Sequence, residues 1–315
     1  MTVGAGSYDT QQAGALIDIQ YDSLGLRLAS ASEDGVVRIW STETHELLNE
    51  LRFHKAPVLS LAWASGRFAT TLASVSSDGL IVISREVRPK EWLVVHQLEL
   101  RGDVSMISFA PGEYGVVLAA ASLAGEVHIV SRREISVSPV VPAGESWLSK
   151  SFFAHAGGVA ALTWAPSTSP AVLATGPAVQ KAASCAPRRL ATAGRDGVVR
   201  IWLHSSSGDS WSEVCQLSSP KLLGNVRDIA WRPNLGTPSS LIAICTEGGC
   251  VGTWSQDVNG KDWQLQACWN VASDARRVTW SKAGLLLAVS VGDRDAAIFR
   301  EECCGSWSAM TSFDE

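Results

Sequence analysis

The sequence contains no unbroken apolar run of about 18 residues, the length a helix needs to cross a bilayer. Its longest candidates are of the GVVLAAASLAG and GLLLAVSVG type, so no helical membrane span is expected. The opening MTVGAGSYDTQQAG has neither the basic start nor the apolar core of a secretory signal. The chain is therefore expected to stay in the cytosol or nucleus. Charge is scarce: Asp, Glu, Lys and Arg make up 18% of the 315 residues and leave a net charge of -5. The basic pairs Arg132-Arg133, Arg188-Arg189 and Arg276-Arg277 stand alone, so nothing attracts polyphosphate and nucleic acid is not expected as a direct ligand. The seven cysteines form an odd set without a Cys-x-x-Cys, and no His stands beside them at zinc-finger spacing. They read as reduced and mostly structural, with no metal site. Phosphate-binding glycine loops, H-E-x-x-H and G-x-S-x-G are all missing, so neither enzymatic activity nor a cofactor is expected.

What the chain does have is a period. DGVVRIW occurs at 34–40 and again at 196–202. Related segments carry Asp78, Ala124, Gly248 and Asp293 at the position of its Asp, giving successive offsets of 44, 46, 72, 52 and 45 residues. Upstream of each lies an alternating run ending in an aromatic: Tyr21, Trp63, Phe109, Trp164, Trp231 and Trp280. A third marker, Trp92, Trp147, Trp211, Trp263 or Trp307, opens a further short run. Twelve of the thirteen tryptophans fall into these three slots and only Trp269 lies outside, which establishes the repeat. Each unit reads as four short strands separated by Gly, Pro, Asp and Ser turns, with no helical period. Six such units predict an all-β, six-bladed WD-repeat β-propeller. The expected blades are 15–53, 54–101, 102–154, 155–218, 219–270 and 271–312, after a flexible N-terminus at 1–14. A mobile insertion at 167–189 and a lesser one at 134–146 enlarge the longest offset.

Within this frame Asp34, Asp78, Asp196 and Asp293 read as turn residues capping backbone N–H groups, and Trp40 and Trp202 as anchors closing the third strand. His54 and His155 fall in loops entering a blade, where turn capping is expected. No unit shows a complete set of His, Ser or Thr, Asp and Trp. The second has His54, Ser76 and Asp78 but Ser84 in place of the Trp. Apolar packing is therefore expected to carry more of the stability.

The segments APGEYGVVLAAASLAGEVHIV, SDGLIVISRE, VRDIAWRPNLGTPSSLIAICTEGG and RRVTWSKAGLLLAVSVGDRDAAIF resemble, in order and spacing, the Sec-thirteen family. These are the small propellers of the outer COPII coat and the nuclear-pore Y complex. The resemblance covers about residues 15 to 312. It implies an open propeller acting as a scaffold in ER-to-Golgi transport, at ER exit sites and COPII vesicles on the cytosolic side, and also at the nuclear pore. It further implies a larger helical partner of the Sec-thirty-one type, or Y-complex proteins, contributing strands to the propeller, with membrane reached only indirectly. A nuclear-pore and nutrient-signalling paralogue of the same type, and a generic WD-repeat adaptor, are the alternatives.

Strand phasing leads to the same expectation. GALIDIQYD already serves as the innermost strand of the first blade, and WSAMTSF supplies the outer strand of the last. No strand exchange closes the ring, so the end blades are expected to offer apolar faces to a partner. Ile17, Ile19 and Leu28 of the first blade and Val278, Leu286 and Ala288 of the last are the candidate partner-binding residues.

Overall fold

The computed structural model describes residues 14–310 apart from 101, 134–145, 169–186, 220–223, 235–238, 258–261, 272, 293–294 and 303–304. Asp293 and nearly all of the expected N-terminal segment and of the two insertions lie outside the described residues. Among the described residues there are 24 strands and two short 3-10 turns. The first sheet holds β1 (Leu16–Tyr21), β2 (Arg27–Ser32), β3 (Val37–Ser41) and β4 (Leu47–Leu51), and the second β5 (Val58–Trp63), β6 (Thr71–Ser76), β7 (Leu80–Arg88) and β8 (Glu91–Glu99). The third holds β9 (Val104–Phe109), β10 (Val117–Ser122), β11 (Glu126–Arg133) and β12 (Ser146–Phe153), and the fourth β13 (Val159–Trp164), β14 (Arg189–Gly194), β15 (Val199–Ser205) and β16 (Ser210–Leu217). The fifth holds β17 (Val226–Trp231), β18 (Ser239–Thr246), β19 (Cys250–Asp257) and β20 (Gln264–Asn270), and the sixth β21 (Ala275–Trp280), β22 (Leu286–Val291), β23 (Asp295–Glu301) and β24 (Trp307–Met310). Each sheet takes four consecutive strands, as the repeat predicts for six propeller blades. The chain divides into two compact units: 1–123 with 127–151, and 124–126 with 152–315.

The DGVVRIW heptad is a turn and strand whose every position has a use. Asp34 and Asp196 accept the backbone N–H groups of Val36 and Val198 at 3.0 and 3.1 Å, and the Gly after each adopts a left-handed φ of 77° or 76° that favours glycine. Asp78 accepts from Leu80 in the same way. Val36, Val37 and Ile39 of the first copy and Val199 and Ile201 of the second enter the core. Arg38 reaches Asp34 at 2.8 Å and Glu50 of β4 at 3.1 Å, and Arg200 reaches Asp196 at 2.9 Å and Glu213 of β16 at 3.4 Å. Burial alone would raise the Asp34 carboxyl, but Arg38, Ser32 and the Val36 amide hold it down at about 2. The closing Trp40 and Trp202 donate their indole N–H to Ser30 and Thr192.

The fourth sheet corrects the expectation of incomplete sets. Trp202 donates to Thr192 Oγ1 at 2.9 Å, the hydroxyl meets His155 Nε2 at 2.9 Å, and His155 Nδ1 meets Asp196 at 3.1 Å. The hydroxyl stands four residues before the Asp, on the second strand, not two residues before it in the turn. In the second sheet both positions carry serine: His54 Nε2 meets Ser74 and Nδ1 meets Ser76, which in turn donates to Asp78. Both imidazoles thus join side chains across their blade instead of capping a turn.

Burial pushes the His54 imidazole down from 6.5 to about 4, against the opposing pull of Asp78, and burial also lowers His155 despite its bond to Asp196. An unfolded chain takes up protons near pH 6.5 that the folded histidines refuse until lower pH. Stability is therefore full above that range and falls as pH drops from 6.5 towards 4. His54 alone should remove about 2 kcal/mol by pH 5. Urea midpoints at pH 7.5 and 5.0 check this, and equal midpoints would contradict it.

Packing follows one rule inside each unit. The second face of a sheet lies against the first face of the next, the one carrying the aromatic slot. Ala29, Ala31, Val37 and Ile39 meet Val58, Leu61 and Leu72 in the first unit. Ala243, Cys245 and Val251 meet Val278, Leu287 and Val289 in the second. Polar stitches repeat along these seams: Asp18 Oδ2 accepts from the Leu61 amide and Asp228 Oδ2 from the Val278 amide, both at 2.9 Å. Trp63 and Trp280 donate to the carbonyls of Gln20 and Ala230. The tryptophan registers have a structural reason too. The third-marker Trp packs edge-on or tilted against the aromatic-slot Trp of its own blade in Trp63–Trp92, Trp164–Trp211, Trp231–Trp263 and Trp280–Trp307.

Candidate functional site

Comparing equivalent residues blade by blade isolates two faces. Five residues before the aromatic slot stand Val58, Val104, Val159, Val226 and Ala275, none more than 2% exposed. Their counterpart in the first sheet, Leu16, is 51% exposed. Two residues before the slot, Leu61, Ile107, Leu162, Ile229 and Val278 reach at most 4%, yet Ile19 is 49% exposed. The slot residue Tyr21 is itself exposed, and the turn between β1 and β2 adds exposed Leu24 and Leu26. Leu28 lies beneath this face, opposite Tyr21 in the register, and is buried. Ile17 occupies a bulge between Leu16 and Asp18 and is half-buried.

The sixth sheet departs from the pattern on its second face. The second strand is buried on both sides in β6 and β10, but β22 alternates half-buried and buried residues. Ala29, Ala73, Ala119, Ala191 and Ala243 are wholly buried, whereas Ala288 at the same place is half-buried. Leu286 shares that face, and half-buried Ile298 pairs with Ala288 across β23. Val278 is on the other face, inside the core shared with the fifth sheet. Sequence reasoning thus named Ile19, Leu286 and Ala288 of these faces and missed Leu16 and Tyr21. Counting back from the aromatic slot in all six repeats is the signal that finds them.

Chemically, the first face offers apolar surface, and the second sets Leu286, Ala288 and Ile298 beside the polar Arg300 and Ser290. Covering a side chain such as Leu16 or Ile19 stabilises a complex by about 1 to 2 kcal/mol. Among the described residues no group of three or more His, Cys, Asp or Glu is placed to hold a metal ion, and no helix is long and apolar enough to cross a membrane. The remaining sequence-named residues lie in the scaffold: Asp34, Asp78 and Asp196 in turns, Trp40 and Trp202 in the sheets.

Comparison with known proteins adds the following. Residues 6–41 match the family described as WD domain, G-beta repeat. The chain is 32% identical to "Protein SEC13 homolog" of Drosophila melanogaster, covering 95% of this chain and 81% of that one. It is also 32% identical to "Protein transport protein sec13" of Emericella nidulans, over 95% and 94% of the two chains. Identity with the protein of the same name from Aspergillus fumigatus is 33%, over 95% of each. Among solved structures, a chain of "Crystal Structure of Mitotic Checkpoint Complex" superposes with a TM-score of 0.66 at 17% identity, covering 92% of this chain and 76% of that one. That likeness concerns the fold alone.

Proposed function

Because this chain belongs to the Sec-thirteen family, we propose that it is a non-catalytic scaffold subunit of the COPII outer coat, clamping a larger partner of the Sec-thirty-one type. It acts at ER exit sites, on the cytosolic side, and meets the membrane only through the rest of the coat. The observation that carries this reading is the exposure of Leu16 and Ile19, whose counterparts in the five other blades are all core residues. Residues built for a blade-to-blade seam have no such seam of their own, so a partner's strands, laid on the first sheet, bury them as another blade would. The half-buried Leu286 and Ala288 of the sixth sheet supply a second contact of the same kind. The contribution of such a subunit is rigidity: within each unit apolar seams hold neighbouring blades together and resist bending, and no chemistry is required.

Co-expression with the partner tests this. Wild type is expected to co-purify as a one-to-one complex. Leu16→Asp with Ile19→Asp, and separately Ala288→Arg, should fold normally, since these side chains lie at exposed or half-exposed positions, yet weaken the complex by about tenfold or more. Undiminished co-purification of the folded variants would sink the assignment of these faces.

A further inference from the structure

We propose that Cys250 and Cys268 form a reversible disulfide, a peroxide-responsive staple between β19 and β20 of the fifth sheet. Their sulfurs lie 3.1 Å apart, closer than two non-bonded sulfurs ordinarily pack and about 1 Å from bonding distance. The register explains the approach. Cys250 pairs with Asn270 and Gly252 with Cys268, so the two cysteines are diagonal neighbours on one face of the sheet. Gly252, directly opposite Cys268, has no side chain to fill the space into which the two thiols converge.

Access and protonation set the order of events. Cys268 is half-buried and reaches solvent, whereas Cys250 is buried. Burial and the neighbouring Cys268 push the Cys250 thiol up to about 12, so it keeps its proton and acts second. The thiolate of Cys268 attacks one oxygen of hydrogen peroxide. The O–O bond breaks, the leaving hydroxide takes a proton to become water, and Cys268 becomes a sulfenic acid. The Cys250 sulfur then attacks the Cys268 sulfur as its proton passes to the departing hydroxyl, releasing a second water. Two thiols and one peroxide thus give one disulfide and two waters, each sulfur losing one electron. Thiols of the glutathione class reverse the step by exchange.

The staple would sit beside a structural joint. Trp269 follows Cys268, projects to the opposite face and packs on Phe299 and Trp307 of the sixth sheet at 5.1 and 5.6 Å. Tying β20 to β19 therefore stiffens the edge strand that carries this aromatic joint. Cys245 does not compete: it is wholly buried in the adjoining core, and burial pushes its thiol up.

The full-length protein is treated with hydrogen peroxide, blocked with N-ethylmaleimide and digested with trypsin, which cuts at Lys261 between the two cysteines. The expected product is one cross-linked peptide pair, lighter by two hydrogens and released by dithiothreitol. In oxidised wild type, amide exchange in β20 should slow several-fold. Cys268→Ser and Cys250→Ala should each lose both the cross-link and the slowing. Separate alkylation of Cys250 and Cys268 in peroxide-treated folded protein, or Cys268 as sulfinic acid without a cross-link, would overturn the proposal.

Discussion

Gly194→Ala is expected to destabilise the protein by about 3 to 4 kcal/mol, combining overpacking with the loss of a buried polar network. Gly194 ends β14 two residues before Asp196. A Cβ there would lie 2.2 Å from both Asp196 Oδ1 and His155 Nδ1, so one of the two must leave. If the imidazole moves, Thr192 keeps Trp202 but loses His155, and the bond chain from Trp202 to Asp196 breaks inside the blade. Arg200 would also lose ground, because it leans on the same carboxylate. The second blade indicates a partial remedy. Ser76 holds the equivalent place, and its hydroxyl links His54 to Asp78. Gly194→Ser should therefore be less damaging than Gly194→Ala by about 1 kcal/mol. Urea unfolding followed by tryptophan fluorescence, with amide exchange across β13 to β16, measures both. An alanine variant within 0.5 kcal/mol of wild type would refute the packing argument, where about 1 kcal/mol is the ordinary effect of a point substitution.

The blade period was legible because it is written in large residues. Tryptophans recur in three slots of the repeat, and two of these slots pair inside the second, fourth, fifth and sixth blades. The hydrogen-bonded set of the fourth blade was not legible from the Ser-x-Asp turn, since Gly194 occupies that place and the working hydroxyl, Thr192, is two residues earlier on the strand. Which face a residue takes was readable only in part. Alternation fails at the bulges that open the innermost strands, between Leu16 and Asp18 in β1 and between Ala275 and Val278 in β21. A bulge resets the side-chain parity, so Ile17 could be placed in its strand but not on a face, whereas Val278 follows its bulge in unbroken register with Trp280 and shares the face of the aromatic slot. Exposure itself has no signature in residue type: Leu16 and Ile19 are as apolar as their buried equivalents. Counting back from the aromatic slot aligns them with those equivalents, and the structure adds that in the first sheet these places are exposed.

Glu301→Ala should be the other severe substitution, destabilising by about 3 kcal/mol. Arg232 follows β17 and its side chain is only 4% exposed, while Glu301 ends β23. The guanidinium donates to Glu301 Oε2 at 2.8 Å and to the Ser239 carbonyl at 2.9 Å, and lies over the Trp280 ring. Gln266 Nε2 donates to the other Glu301 oxygen at 2.7 Å, so the carboxylate joins the fifth and sixth sheets from two sides. Burial lowers the Arg232 pKa, but an arginine stays charged in proteins. Removing Glu301 leaves that charge buried with a carbonyl and a hydroxyl in place of a counter-ion. The carboxylate is 30% exposed, so water relieves part of the penalty and the effect falls at the low end for a broken buried pair. Glu301→Gln keeps the hydrogen-bonding shape without the charge and should fall between wild type and Glu301→Ala. The double variant Arg232→Met with Glu301→Leu removes both charges and replaces them with apolar volume, and should recover most of the loss. Unfolding free energies of the wild type, Arg232→Met, Glu301→Leu and the double variant form a thermodynamic cycle. A coupling near zero, or a double variant as unstable as the sum of the singles, would show that the pair does not hold this seam.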